Sequence, residues 1–186
     1  MTELFDIRGW KALVTGGTRG LGRGMAEGLM EAGAEVAIVG STPRVKTVAE
    51  EFCARGFACY GVQANLSVRE ERQRAFKEAV GLLGGLDILI NAAGIQRRWP
   101  CEQFPPEDWD AVLAVNLTAP FELSQMAARE YLKKEKPYGK IINIASMLSF
   151  FGGYTVPAYA AAKGGVAQFS KEMCNELAGR GIHVNC

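Results

Sequence analysis

Lys11–Gly22, KALVTGGTRGLG, reads as a five-residue apolar strand that breaks into a glycine-rich turn and continues as a helix. The turn has the spacing G-x-x-x-G-x-G through Gly16, Gly20 and Gly22, not the commoner G-x-G-x-x-G. Glycines let a backbone turn sharply and approach a ligand closely. Unsatisfied N–H groups at the helix start offer a site for a pyrophosphate. Any tight turn can use glycine, so the meaning comes from the position between a buried strand and a helix. On that basis Gly16, Thr18, Arg19, Gly20, Leu21 and Gly22 are candidate dinucleotide contacts.

Outward from this unit the pattern repeats. Glu35–Val39, Ala58–Gln63, Leu86–Asn91 and Lys140–Ala145 are short apolar runs bounded by turn residues. Their apolarity is continuous, as in strands of a parallel sheet buried on both faces. Helical stretches lie between them: Leu21–Ala32, Arg44–Arg55, Val68–Leu83, Glu107–Lys134 and Ala158–Arg180. Ser67 and Glu70 have the spacing of a capping box opening the third helix. The fourth is long enough to bend near Asn116–Pro120. Alternating strand and helix with short links predicts an α/β fold, a Rossmann-type doubly wound parallel sheet with helices on both faces. The 186 residues suit one domain. The closing segment GIHVNC, Gly181–Cys186, reads as a sixth strand just begun, so this domain is expected to be incomplete at its C-terminus.

Composition narrows the function. Hydrophobic residues at 48% and charged residues at 22% mark a globular chain. A net charge of +1 does not suggest a nucleic-acid surface. No run approaches the roughly 20 apolar residues of a membrane span, and the start has no signal-peptide pattern, so the expectation is a soluble cytoplasmic protein. Five cysteines form no CxxC pair, and His183 is the sole histidine. A metal cluster or a histidine-based triad therefore has little to build on.

At the end of the second strand an acidic residue would favour NAD by accepting the ribose 2′-OH. Val39-Gly40-Ser41-Thr42 has none. Ser41 is a candidate contact, and Arg19 and Arg44 are candidates for a 2′-phosphate, which would favour NADP; solvated surface charges are the equal alternative. The fourth strand ends in Asn91-Ala92-Ala93-Gly94, small residues against which a ring or ribose can lie. Tyr159 and Lys163, four apart on a helix, face the same side. An ammonium nearby favours a phenolate and brings a tyrosine toward useful acid/base range. Ser146, at the end of the fifth strand, can hydrogen-bond a substrate oxygen. Together they form a site for hydride exchange in which Ser146 orients the oxygen, Tyr159 moves its proton and Lys163 tunes Tyr159.

With TGGTRGLG, NAAG, Ser146 and Tyr159-x-x-x-Lys163 in that order, the chain resembles the short-chain dehydrogenase/reductase family from Lys11 onward. The resemblance implies NAD(P) as cofactor and a Ser-Tyr-Lys site completed by an asparagine, matched here by Asn116 in VNLTAPF. Its backbone carbonyl is implied to hold a water connected to the lysine. Asn65 stands where the family places an aspartate near the adenine, with Leu66 beside it; Tyr159 and Lys163 are implied to touch the cofactor too. Family members run roughly 60 to 70 residues further, to a Pro-Gly turn, a covering loop and a seventh strand. A homotetramer or homodimer is implied, through the Glu107–Lys134 and Ala158–Arg180 helices. More narrowly, Ile141–Lys163 and Ile95–Arg98 resemble the family's sugar-acid dehydrogenases. Arg97 or Arg98 could then grip a substrate carboxylate; surface or subunit-contact charges are the equal alternative. A gluconate dehydrogenase, a 3-oxoacyl carrier-protein reductase and a non-catalytic dinucleotide-binding fragment remain open alternatives.

Overall fold

The protein is described by a computed structural model covering residues 6–186. Six strands form one sheet: β1 Lys11–Thr15, β2 Glu35–Gly40, β3 Cys59–Gln63, β4 Ile88–Asn91, β5 Gly139–Asn143 and β6 Ile182–Asn185. Their order is β3-β2-β1-β4-β5-β6, and every pairing is parallel. This is the doubly wound arrangement expected from the sequence. The order in which strands are added reverses between β1 and β4, where open α/β sheets bind ligands.

Alternate residues of the strands face opposite layers. Leu13, Val39, Leu89 and Ile141 pack against α3 (Arg69–Leu83), α5 (Ala119–Tyr131) and α6 (Pro157–Leu177). Ala12, Val14, Ile38 and Ile90 pack against α1 (Gly20–Glu31) and α2 (Arg44–Ala54). Burial on both faces explains why the strands read as unbroken apolar runs.

Two local features differ from expectation or refine it. The capping box of Ser67 and Glu70 does not form. Asn65 Oδ1 lies closer and accepts from both Ser67 Oγ (2.8 Å) and Ser67 N–H (3.1 Å), an Asx turn. Glu71, rather than Glu70, reaches back and accepts the Asn65 N–H at 2.7 Å. The long fourth helix divides into α4 (Pro106–Leu113) and α5, joined by a π-turn at Ala114–Thr118 that Ala119 N–H closes onto Ala114 O. Pro120 has no N–H, so it cannot give the Asn116 carbonyl the bond an α-helix would supply. The bend falls where the sequence places it.

Candidate active site

The carboxyl ends of the strands carry the site. The glycine turn cannot tolerate side chains. A Cβ on Gly16 would lie 2.9 Å from the Ala93 backbone, and one on Gly22 would lie 2.3 Å from Gly16 O. Gly16 and Gly20 have φ of +70° and +54°, in the left-handed region. Helix α1 begins with Arg19 extended, with no side chain capping it and no acidic residue in its first turn. Its N–H groups and positive dipole end are left to a ligand.

A cleft of about 650 Å³ opens along this turn. It is lined by Gly16, Thr18, Arg19, Gly20, Leu21, Gly22, Ser41, Asn65, Leu66, Ala92, Ala93 and Gly94, all candidates from the sequence. Val39, Gly40, Ala64, Ser67, Ile95, Arg97, Ala111 and Val115 complete it. The glycine cradle and the open helix terminus fit a dinucleotide pyrophosphate. Arg44, the other candidate for a 2′-phosphate, does not line it.

Asn91 is placed differently from its neighbours. Its side chain is buried in a polar chain beneath the cleft, where Nδ2 donates to Asn143 Oδ1 (2.8 Å) and Ser124 Oγ (3.1 Å). Asn143 Nδ2 donates in turn to Ser170 Oγ on α6 at 2.9 Å. Asn91 thus couples β4, β5, α5 and α6. Thr15, which stood out for nothing in the sequence, is its partner in register on β1. Its Oγ1 accepts the N–H groups of Ala92 and Ala93, each at 3.1 Å, and so fixes the NAAG turn. A hydroxyl closing a strand just before the glycine turn was the available signal.

Beyond the NAAG turn, outside the cleft lining, lie Ser146, Tyr159 and Lys163, the candidates for proton transfer. Ser146 Oγ accepts the Leu148 N–H at 3.1 Å in a 3₁₀ turn after β5, Met147–Ser149. Tyr159 and Lys163 lie one turn apart on α6, with the Lys163 ammonium 5.7 Å from the centre of the Tyr159 ring. Lys163 Nζ donates to Ile144 O, which ties the helix to the end of β5. Asn116 is fully buried and binds Ile95 twice: Oδ1 accepts its N–H and Nδ2 donates to its carbonyl, both at 2.8 Å. The side chain therefore anchors the strap after NAAG.

Burial pushes the Lys163 ammonium from 10.5 down to about 8. Below pH 8 both folded and unfolded chains keep the proton, and the cost of burying the charge is fully present. Between about 8 and 10.5 the folded chain releases it first, so the unfolded chain binds more protons and stability rises with pH. Raising the pH from 7.5 to 9.5 is expected to stabilise the wild type by about 2 kcal/mol relative to Lys163→Met. Urea unfolding of both chains at the two pH values checks it. A difference independent of pH would rule out an ammonium destabilised by burial.

The two arginines separate. Arg97 Nε donates to Asp108 Oδ1 at 3.1 Å, and Trp99 Nε1 donates to Asp108 Oδ2 at 2.7 Å. Asp108, on α4, thereby clasps the strap, and Arg97 reaches the cleft already paired. Arg98 is exposed. The strap is also tied to the loop before α6, since Trp99 N–H donates to Thr155 O at 3.1 Å.

A parallel nucleotide-binding sheet with serine, tyrosine and lysine at its carboxyl edge defines a class of oxidoreductase. Residues 11–186 match the short chain dehydrogenase family. The chain belongs to the short-chain dehydrogenases, NAD(P)-dependent oxidoreductases. It is 40% identical to a 3-oxoacyl-[acyl-carrier-protein] reductase of Aquifex aeolicus over 96% of this chain and 72% of that protein. It is also 40% identical to a 2-dehydro-3-deoxy-D-gluconate 5-dehydrogenase of Escherichia coli, covering 97% of this chain and 71% of the relative. A solved gluconate 5-dehydrogenase of Burkholderia cenocepacia, in complex with NADP and tartrate, superposes with a TM-score of 0.90 at 39% identity, over 97% of this chain and 71% of that one.

Proposed function

We propose that the chain interconverts a secondary alcohol and a ketone on a deoxy sugar acid of the 2-deoxy-D-gluconate or 2-dehydro-3-deoxy-D-gluconate type. The observation that carries the reaction class is the placement of Ser146 and the Tyr159–Lys163 pair beyond a glycine-cradled cleft. The substrate class is supported by the similarity to sugar-acid dehydrogenases. Bound in the cleft, a nicotinamide dinucleotide supplies or accepts the hydride. Ser146 Oγ holds the substrate oxygen, and Tyr159 Oη gives it a proton in reduction or removes one in oxidation. The Lys163 ammonium beside the ring stabilises negative charge on that oxygen, and Ser146 polarises the carbonyl as charge develops. Asn116 fixes the strap next to NAAG, and its carbonyl, deprived of a donor at Pro120, is the place for a water leading to Lys163.

Arg19 in the cleft and the absence of an acid in Gly40–Ser41 favour NADP, through the extra phosphate on its ribose. Arg97, which lines the cleft and is paired with Asp108, and the exposed Arg98 are the candidates for a substrate carboxylate. A cytoplasmic homotetramer or homodimer fits the exposed Phe121 on α5, which stacks edge-on against Phe169 of α6 at 5.7 Å. No helix among the described residues is long and apolar enough to cross a membrane. Among the same residues, no cluster of three or more His, Cys, Asp or Glu could hold a metal ion.

The test follows nicotinamide absorbance with NADPH and NADH against 2-dehydro-3-deoxy-D-gluconate, 2-deoxy-D-gluconate, gluconate and a 3-oxoacyl thioester. Turnover of the deoxy sugar acids with NADPH preferred is the expected result. Preference for the thioester or for gluconate would reassign the substrate, and cofactor binding without any turnover would make this a dinucleotide-binding fragment.

A further inference from the structure

The mechanism uses Ser146, Tyr159 and Lys163, which sit on two separate pieces of chain. Ser146 leads into a three-residue 3₁₀ turn, and the other two sit on α6. A reaction that depends on both needs their relative placement held to a fraction of an ångström, because small misalignments of reacting groups are costly. Besides the Lys163 tie to Ile144, one side chain joins the Ser146 turn itself to α6. Ser149 Oγ donates to Lys163 O at 2.7 Å and accepts the Ser146 N–H at 3.3 Å. Ser146 Oγ in turn accepts the Leu148 N–H, so the two serines form a reciprocal cap on the turn. A single hydroxyl can fill both roles, since it carries one donor and two acceptor sites. The turn packs against α6, with Leu148 and Ser149 half-buried, while Met147 and Phe150 on either side are 75% and 74% exposed.

We propose that Ser149 is a positioning residue, a hydroxyl bridge that locks the Ser146 turn onto the helix bearing Tyr159 and Lys163. It acts through Ser146 and touches neither cofactor nor substrate. Without it the Ser146 N–H and the Lys163 carbonyl lose a shared partner. The Ser146 hydroxyl then wanders relative to the Tyr159 phenol while the cleft is unaffected.

Ser149→Ala, in the full chain, is the test. Amide hydrogen exchange reads the bridge directly: protection at Ser146 is expected to fall about tenfold or more, with β5 and the body of α6 unchanged. Steady-state kinetics read its use. kcat is expected to fall about 10- to 100-fold with the KM for cofactor within about twofold. In a Ser146→Ala background the same change is expected to cost less than about twofold, because its effect passes through Ser146. Unchanged exchange at Ser146 would overturn the bridge. Lost protection with wild-type kcat, or a full additive loss in the double variant, would overturn the positioning role. The kinetic arm rests on the proposed function, but the two fail differently. A wild-type chain without turnover sinks the function, while exchange still decides the bridge.

Discussion

Tyr159→Phe is expected to lower kcat by about a thousandfold while the dissociation constant for cofactor stays within about twofold. The substitution removes one oxygen and keeps the ring that packs beside the Lys163 ammonium. The helix, its tie to Ile144 and the cleft are all left in place. What disappears is the group proposed to exchange a proton with the substrate oxygen, a contribution worth about 10² to 10⁴ in rate. Neither Lys163 nor His183 is placed to stand in. Lys163 is 5% exposed and engaged by the Ile144 carbonyl. The chain's one histidine, His183, lies on β6 beside Tyr138, in contact with a different part of the sheet. Steady-state assays with saturating substrate, paired with fluorescence titration of cofactor, give both numbers. A Tyr159→Phe variant that kept more than a tenth of wild-type kcat would place the proton donor elsewhere.

The second large effect concerns Gly22. Gly22→Ala is expected to weaken cofactor binding by about a hundredfold or more, with the fold retained. The new Cβ would stand 2.3 Å from Gly16 O and 2.8 Å from Gly16 C, both backbone atoms with no rotamer to escape into. Either the turn or the start of α1 must withdraw, and the amides that hold the pyrophosphate withdraw with it. The strain costs about 1 to 3 kcal/mol of stability, which a chain of this size can absorb. Gly24→Ala, two residues on in the same helix, is the control. Its Cβ meets nothing within 4 Å, and alanine improves helix propensity by about 1 kcal/mol. Titration of both variants, with melting curves alongside, separates lost cradle from lost fold. Equal affinities for the two would show that the close approach at Gly22 is irrelevant to binding.

The contrast between these glycines also shows what the sequence could and could not say. Gly16, Gly20 and Gly22 were legible because strand, turn and helix follow one another without interruption, and local periodicity is enough to read them. The sheet was legible for the same reason, since burial on both faces writes itself into each strand as an apolar run. Tyr159 and Lys163 were readable as a pair from helical spacing, and Ser146 from its place at a strand end. Thr15 was not, because its partners are the Ala92 and Ala93 amides, brought to it only by the pairing of β1 with β4. Asp108 was hidden likewise: a carboxylate on a helix face says nothing of the Arg97 and Trp99 donors that fold back onto it. Asn91 was legible as part of a motif, while the direction of its side chain depends on Asn143 and Ser124 from distant segments. The capping box failed because Asn65 Oδ1 took the Ser67 backbone N–H that Glu70 would have accepted.

Chain connectivity around the cleft has a kinetic side. Strands β1, β2 and β3 follow one another in the sheet as they do along the chain, and so do β4, β5 and β6. Within each triplet the paired strands lie closer along the chain than β1 lies to β4. The seam between them is long-range: Lys11 N–H reaches Asp87 Oδ2 across a sequence separation of 76. That span is the longest sequence separation among the strand pairings of the sheet, and so the costliest of them to close in loop entropy. Gly16 belongs to one triplet and Ala93 to the other, and the cleft runs over the junction. A dinucleotide lying there would touch both halves, as a staple across the seam.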